Sequence, residues 1–147
     1  DIAPSLIKAL LEKHQAQIGQ QLTLIAGDFF KHSGQYDLVV EQTFFCALDP
    51  SLRNAYAAHM QKLVKPGGKL VFTDNNYVEG SSTAISEKDD LGNTFQLRKL
   101  ADGSIHKVLK NFPSEDMIRN LLNGKAQQIH FSRLEYYWIL AYKVPKN

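Results

Sequence analysis

The stretch that decides the fold is YDLVVEQTFFCALDPSLRNAYAAHMQKLVKPGGKLVFTD, residues 36–74. Its short apolar run, Leu38–Val40, predicts a strand that is buried on both faces. Asp49 then stands as a helix N-cap with Pro50 at the first helical position, and apolar residues recur at helical spacing up to a Pro-Gly-Gly stop. A second apolar run, KLVFTD, follows at once. This order of strand, helix and strand predicts a βαβ unit with a right-handed crossover and a parallel sheet.

Upstream of this unit the pattern predicts one more helix and one more strand. PSLIKALLEKH, residues 4–14, has apolar residues at helical spacing on one face. LTLIAGDFF, residues 22–30, contains an apolar run from Leu22 to Ala26 that predicts a buried strand ending at Gly27-Asp28. The first half of the chain is therefore expected to be α/β.

The second half changes character between residues 75 and 111. TFQLRKLADGSIHKVLKNF places Asp102-Gly103 between two β-like runs, which predicts an antiparallel hairpin that serves as a lid. Ser114 is then expected to cap a short helix that stops at Gly124. Two more β-like runs, joined near Arg133–Glu135, predict an antiparallel pair at the sheet edge. The expected fold is one α/β domain, residues 1–147, with a mostly parallel sheet, an antiparallel edge strand and a β-hairpin insertion before its last helix.

Composition excludes several classes of protein. The chain has 147 residues, which suits a single domain, and its 44% hydrophobic and 22% charged residues are ordinary globular values. A formal net charge of +2 without a basic block argues against nucleic-acid binding. Cys46 is the single cysteine, no apolar run is long enough to span a membrane, and the histidines lack metal-ligand spacing. We expect a cytoplasmic protein with no metal.

The ordered motifs resemble a known family. The segments IAGDFF, YDLVVEQTFFCALDPSLR and KPGGKLVF are similar to class I S-adenosylmethionine-dependent methyltransferases, and in detail to the thiopurine methyltransferase-like group, over residues 1–72. From residue 73 to 147 the chain is more similar to another branch of class I methyltransferases. The resemblance implies a Rossmann-like sheet and S-adenosylmethionine as the cofactor. It also implies that ligands bind at the carboxyl ends of the parallel strands.

The resemblance assigns the nucleoside end of the cofactor to two segments. Asp1 would accept hydrogen bonds from the ribose hydroxyls, and Ile2 would pack on the adenine. Asp28 would accept from the exocyclic amino group of adenine and Phe29 would cover the ring, while Gly27 keeps the backbone close. The alternative for Gly27-Asp28 is plain turn chemistry after a strand.

The methionine end of the cofactor is assigned to the end of the next strand. Glu41, Gln42 and Thr43 would lie beside the reacting methyl group. Phe44 and Phe45 would help to enclose it and are expected to contact the acceptor substrate. Cys46 is expected to be a small buried residue and not a nucleophile, since no base stands at a diagnostic position near it.

The acceptor pocket is assigned to the polar stretch after the last parallel strand. Asn75, Tyr77 and Glu79 are the expected substrate-binding residues. The reaction implied is direct displacement of the sulfonium methyl group by an S, N, O or halide nucleophile of a small molecule. Alignment dominates such chemistry, so no catalytic residue is assigned; if a base is needed, the candidates are Glu41, Glu79, His106 and Tyr77.

One element of the resemblance has no counterpart in this sequence. Methyltransferases of this class hold the methionine carboxylate at a glycine-rich turn after their first strand, and neither KPGGK nor GKAQQ opens a helix as that turn must. We therefore expect that the N-terminal part of the fold is missing. Three alternatives remain: a methyltransferase fragment, a non-catalytic Rossmann-like binding or scaffold module, and an engineered joining of two methyltransferases. An unpaired strand edge would favour a homo-oligomer.

Overall fold

The structure is a computed structural model that describes residues 4–146. It divides into two compact units, one within Asp1–Gly34 and the other within Gln35–Asn147.

The first unit contains the predicted helix but not the predicted strand. Helix α1 spans Pro4–Lys13, as its apolar spacing indicates. The run Leu22–Ala26 forms no strand, and its one β-bridge among the described residues joins Leu22 to Ile18. The prediction of a strand at Leu22–Ala26 was therefore wrong. Apolar residues alone do not make a strand, because each strand needs a neighbour to satisfy its backbone hydrogen bonds.

The second unit is built on a four-stranded sheet in the order β1-β2-β7-β6. Strand β1 runs parallel to β2, β2 antiparallel to β7, and β7 antiparallel to β6. Its strands and helices are β1 (Tyr36–Gln42), α2 (Arg53–Leu63), β2 (Val64–Asn75), β3 (Ile85–Lys88), β4 (Thr94–Lys99), β5 (Ile105–Leu109), α3 (Glu115–Leu121), β6 (Gln127–Arg133) and β7 (Tyr137–Lys143).

The α/β class, the βαβ unit of β1, α2 and β2, and the antiparallel pair β6–β7 are confirmed. The balance of the sheet differs from the expectation: among the described strand pairs of this sheet, one is parallel and two are antiparallel. Strand β1 is not buried on both faces either, since Leu38 is 53% and Val40 64% exposed. An apolar run shows that a strand can be buried but not what covers its second face.

One face of this sheet carries the core. Tyr56 and Met60 of α2, Ile118 of α3, and Leu70 and Leu140 of the central strands are all at most 3% exposed. Each such side chain contributes about 1.5–3 kcal/mol when it leaves water. Helix α2 is introduced by the short turn Pro50–Leu52, whose predicted cap Asp49 accepts a hydrogen bond from Ser51 N. Because these helices pack on the central strands, the core fixes the position of the carboxyl ends of β1 and β2.

Between β2 and α3 the chain forms a second sheet of three antiparallel strands, β3-β4-β5, which we call the inserted sheet. The predicted hairpin is confirmed as β4–β5, with Gly103 at a φ of 86° in its turn. Strand β3 was not predicted, because its sequence ISEK is short, polar and exposed throughout. Ser114 caps α3 as expected, accepting from Met117 N. No helix within residues 4–146 is both long and apolar enough to cross a membrane.

Candidate functional site

The candidate site in the second unit begins at the carboxyl ends of the parallel strands β1 and β2. Glu41, the next-to-last residue of β1, is 7% exposed. Its Oε1 accepts hydrogen bonds from Phe44 N at 2.5 Å and Phe45 N at 3.1 Å, while its buried Oε2 has no hydrogen-bond partner among the described residues. Burial, assisted by the nearby negative charge of Asp74, raises the pKa of Glu41 above its ordinary value. A raised pKa at a strand end of this kind is typical of a functional site.

Thr43 follows β1 in a left-handed backbone conformation, with a φ of 59°. Its N–H donates to Thr73 O at 3.1 Å, and its carbonyl accepts from Cys46 Sγ at 3.1 Å. A β-branched residue in this conformation costs on the order of 1–3 kcal/mol, and such strain is concentrated at ligand sites. The chain therefore makes a strained turn where the resemblance assigns the methionine portion of the cofactor.

A buried ammonium lies behind this turn. Lys110 Nζ donates to Cys46 Sγ at 2.7 Å, to Asp74 Oδ1 at 2.9 Å and to Asn75 Oδ1 at 3.2 Å. Burial alone would lower the pKa of Lys110, but the hydrogen bonds to Cys46 and Asp74 raise it above its ordinary value. The cluster joins the residue after β5 to the end of β2, so it fixes the inserted sheet on the strand ends.

Cys46 belongs to this cluster as a packed residue. It is 2% exposed, and its burial raises the pKa of the thiol to about 11 although Lys110 opposes that shift. A thiol with this pKa is almost wholly protonated at neutral pH, and the thiolate is the nucleophilic form. The geometry therefore agrees with the expectation that Cys46 is not a nucleophile.

The two aromatic residues predicted to enclose the methyl group have different surroundings. Phe45 is 3% exposed and contacts the rings of Tyr56 and Phe72 in the core. Phe44 is 41% exposed, with its ring 5.9 Å from that of Tyr56. Phe44 thus has a surface that a ligand can reach, whereas Phe45 packs the core; their assignment to the acceptor stays a prediction.

The predicted acceptor residues lie at two separate cavities. Asn75 lines a cavity of about 430 Å³ between the end of β2, the start of β7 and the inserted sheet, which we call the insertion cavity. Tyr77 lines a second cavity of about 470 Å³, near Arg53 and the start of α3. Desolvation and a hydrogen bond with Glu79 raise the pKa of Tyr77. Tyr77 and Glu79 are thus paired with each other and not gathered around Asn75.

The remaining base candidate, His106, lies on β5 with its Nε2 2.9 Å from Ser104 Oγ. Within the described part of the chain, no group of three or more His, Cys, Asp or Glu side chains could hold a metal ion. Of the four base candidates, Glu41 is the one that lies near the buried Lys110–Asp74 pair.

The adenine-binding prediction falls in the first unit, apart from Asp1 and Ile2, which lie outside the described residues. Asp28 caps the short turn Phe29–Lys31, with Oδ1 accepting from Phe30 N at 3.0 Å. Gly27, Asp28 and Phe29 line a cavity of about 570 Å³ that is formed within residues 25–33. One oxygen of the Asp28 carboxylate makes the cap, and the other contacts only Lys31, at 4.0 Å, among the described charged groups. A capping role for Asp28 is therefore compatible with the predicted role in binding adenine.

Gln96, Arg98 and Lys110 are among the residues of the insertion cavity that sequence reasoning missed. Gln96 and Lys110 are buried polar side chains at 2% and 7% exposure. In the sequence they stand within or next to β-like runs, where alternating polar residues indicate solvent-facing positions. The local pattern carries no signal that these particular polar residues point inward.

The sequence model of the family described as Thiopurine S-methyltransferase (TPMT) matches residues 4–116. A probable thiol methyltransferase 2 of Arabidopsis thaliana is 41% identical over 51 residues, which are 33% of this chain and 23% of the relative. A thiopurine S-methyltransferase of Vibrio cholerae is 32% identical over 74 residues, 50% of this chain and 34% of the relative. The chain thus spans less than half the length of these curated relatives.

The fold has a close counterpart among solved structures. A structure titled "DhpI-SAH complex structure" superposes with a TM-score of 0.71 at 16% identity, and covers 100% of this chain and 65% of that protein. At this identity the likeness establishes the fold, which is Rossmann-like.

Proposed function

Because this chain belongs to the thiopurine S-methyltransferase family, we propose that it takes part in S-adenosylmethionine-dependent methyl transfer to a small-molecule acceptor. The observation that carries the proposal is the family match over residues 4–116, which includes both the Gly27-Asp28-Phe29 turn and the Glu41–Thr43 strand end. A buried carboxyl with a raised pKa and a strained backbone at that strand end support it independently.

The residues present fit the nucleoside end of the cofactor. Asp28 keeps one carboxylate oxygen that accepts no hydrogen bond among the described residues, and Phe29 stands beside it at the same cavity. An acid and an aromatic ring are the groups that recognise the amino edge and the face of adenine. We assign Gly27, Asp28 and Phe29 to the adenine, Asp1 and Ile2 to the ribose and its neighbouring ring, and Glu41, Gln42 and Thr43 to the methionine portion.

When bound, S-adenosylmethionine supplies a methyl group that is already activated for displacement. The chain's own contribution is to hold the acceptor in line and to exclude water. Glu41 contributes by fixing the turn after β1 through its bonds to Phe44 N and Phe45 N. Since Glu41 is buried, its role is to position this turn and not to take a proton from the acceptor.

The acceptor class that the relatives favour is a thiol. The names of the relatives specify thiol and thiopurine acceptors. A thiolate needs no strong general base near neutral pH when its own pKa is low. This suits a site in which no histidine of the described chain joins the buried cluster.

We also propose a cytoplasmic location and a homo-oligomer formed through β1. One cysteine in a buried, protonated state fits a reducing compartment. Among the described strands β1 pairs on one side only, and its exposed Leu38 and Val40 make an apolar edge. The proposed partners are a small-molecule acceptor and a second copy of the chain, with neither nucleic acid nor membrane.

Titration of this chain with S-adenosylhomocysteine by calorimetry tests the proposal. Micromolar binding, with the oligomeric state recorded in the same buffer, is the expected result. A folded sample without detectable binding would contradict the proposal for this chain. Binding without methylation of either benzenethiol or 2-mercaptobenzoate, in the presence of S-adenosylmethionine, would instead favour a non-catalytic binding module.

A further inference from the structure

The insertion cavity contains charge of only one sign. The charged residues that line it are Arg98 and Lys110, and none of its described lining residues is acidic. The other polar groups at its wall include Asn75, Asn76 and Gln96. A cavity lined by cations and neutral amides favours a ligand that carries negative charge.

The two cations are not equivalent. Lys110 already donates its three protons to Cys46, Asp74 and Asn75, and Asp74 balances its charge. Arg98 has no carboxylate within 4.0 Å among the described residues. Arg98 is therefore the cation that can receive a ligand.

A buried amide positions Arg98 in the cavity wall. Gln96 is 2% exposed, and its Nε2 donates to Thr83 O at 2.6 Å, which fixes the side chain. Its Oε1 accepts from Arg98 Nη2 at 3.2 Å. This bond uses one of the five guanidinium N–H donors, so a fork of donors remains for a carboxylate or another oxyanion.

The rest of the cavity suits an apolar frame. Phe112, Tyr136 and Tyr137 line it beside the polar groups, and its volume of about 430 Å³ falls in the range of small-molecule sites. Aromatic side chains give area and stacking surface to a ring-shaped ligand.

We infer that the acceptor of this protein carries an oxyanion of its own, separate from the atom that is methylated, and that Arg98 binds that oxyanion in the insertion cavity. This inference rests on the proposed function for the identity of the ligand as an acceptor. An aromatic thiol with a carboxylate, such as 2-mercaptobenzoate, has the required chemistry. Its thiolate sulfur would form the new bond to the methyl carbon while the bond from that carbon to the sulfonium sulfur breaks, its electron pair staying on that sulfur. The thiol proton goes to solvent.

The test separates oxyanion recognition from methyl transfer. Benzoate and the neutral, nearly isosteric benzamide are titrated into the protein with and without S-adenosylhomocysteine. We expect benzoate to bind at least about tenfold more tightly than benzamide, the effect of one or two charge-assisted hydrogen bonds. Equal affinity of the two probes would overturn the inference, whatever the outcome of the S-adenosylhomocysteine titration.

Three variants identify the residue responsible. Arg98→Gln should abolish the preference for benzoate, and Arg98→Lys, which keeps the charge but not the fork, should retain only part of it. Arg119→Gln is the matched control, because Arg119 pairs with Glu115 on α3 and does not line the cavity. A preference that survives in folded Arg98→Gln would overturn the assignment, and if that variant does not fold, an undiminished preference in Arg98→Lys would do so.

The activity arm then tests the acceptor itself. Methyl transfer to 2-mercaptobenzoate should exceed transfer to benzenethiol in kcat/KM, and Arg98→Gln should reduce this ratio at least about tenfold. No transfer to either thiol together with no S-adenosylhomocysteine binding would count against the proposed function, while a benzoate preference would still establish the oxyanion site.

Discussion

Lys110 Nζ lies 2.9 Å from Asp74 Oδ1, and the side chains of this pair are 9% and 0% exposed. The pair connects the residue after β5 to the next-to-last residue of the core strand β2. Burying a single unpaired charge costs several kcal/mol of desolvation free energy, so each of these two charges stabilises the buried position of the other. The inserted sheet is therefore joined to the core by an ion pair, and separating the two partners would leave a buried charge without its counter-charge.

Replacing Lys110 with Met should destabilise the protein strongly. The buried Asp74 carboxylate would be left without its counter-charge, which costs about 3–5 kcal/mol. The measurement is the free energy of unfolding by urea. Lys107→Met is the control, since the exposed pair of Lys107 with Glu87 contributes about 0–1 kcal/mol. Equal losses in the two variants would show that the buried pair is not what stabilises this junction.

Glu41 should make stability decrease with rising pH over a defined window. Its pKa is raised in the folded state, so between the ordinary carboxyl pKa and the raised value the folded protein binds more protons than the unfolded one. Stability from this group is present below that window and is lost as the pH rises through the folded pKa. Unfolding free energies of wild type minus Glu41→Gln, measured across pH 4–8, should decrease with pH; a flat difference would contradict the assignment.

Cys46 should react slowly with alkylating agents in the folded protein. Its pKa of about 11 leaves little thiolate at pH 8, and its side chain is buried. The rate of iodoacetamide labelling should be lower by orders of magnitude than in urea, and should rise when Lys110→Met loosens the cluster. Labelling at the same rate in native and unfolded protein would contradict the structure at this position.

Asp28→Ala should weaken S-adenosylhomocysteine binding by about 1–3 kcal/mol, the range for leaving the amino group of the bound adenine without its hydrogen-bond partner. Asp37→Ala serves as the control, because Asp37 is exposed and pairs with Lys65. Affinities come from calorimetry on variants whose thermal unfolding matches wild type. Unchanged affinity in Asp28→Ala would leave Asp28 with its capping role alone.

Val40→Lys should reduce self-association while leaving the fold intact. Val40 is 64% exposed on the edge strand β1, and a lysine on an edge strand opposes pairing with another chain. Light scattering over a concentration series is the measurement. The matched control is Ile105→Lys on β5, because Ile105 is also 64% exposed and its strand lies outside the four-stranded sheet. An unchanged association state in Val40→Lys would place the contact elsewhere.

Much of the fold was predictable because its signals are local. The helical spacing of residues 4–14, the caps at Asp49 and Ser114, and the Asp-Gly turn at residue 102 each depend on a few neighbouring residues. The strand at Leu22–Ala26 failed for the opposite reason, since its formation depends on a neighbouring strand that a local pattern cannot supply.

The candidate site was predictable only at its strand ends. Asn75 was named because it follows the apolar run of a core strand, and Glu41 because the family resemblance assigns that strand end to the cofactor. Their ligand roles stay predictions. Lys110 and Arg98 were missed because their roles depend on contacts with Asp74 and Gln96 that form only when the inserted sheet folds back. Residues whose roles depend on long-range contacts produce no periodic pattern in the local sequence from which those roles could be predicted.

The inserted sheet leaves the core at Asn75 and returns at Lys110, and these two side chains are hydrogen-bonded at 3.2 Å. Its entrance and exit are thus adjacent, so the strands between them can change in length or sequence while the ends stay a fixed distance apart. Such an arrangement behaves as an exchangeable cassette. Grafting the corresponding segment of a relative between these two residues is a direct route to a protein with the same core and a different choice of acceptor.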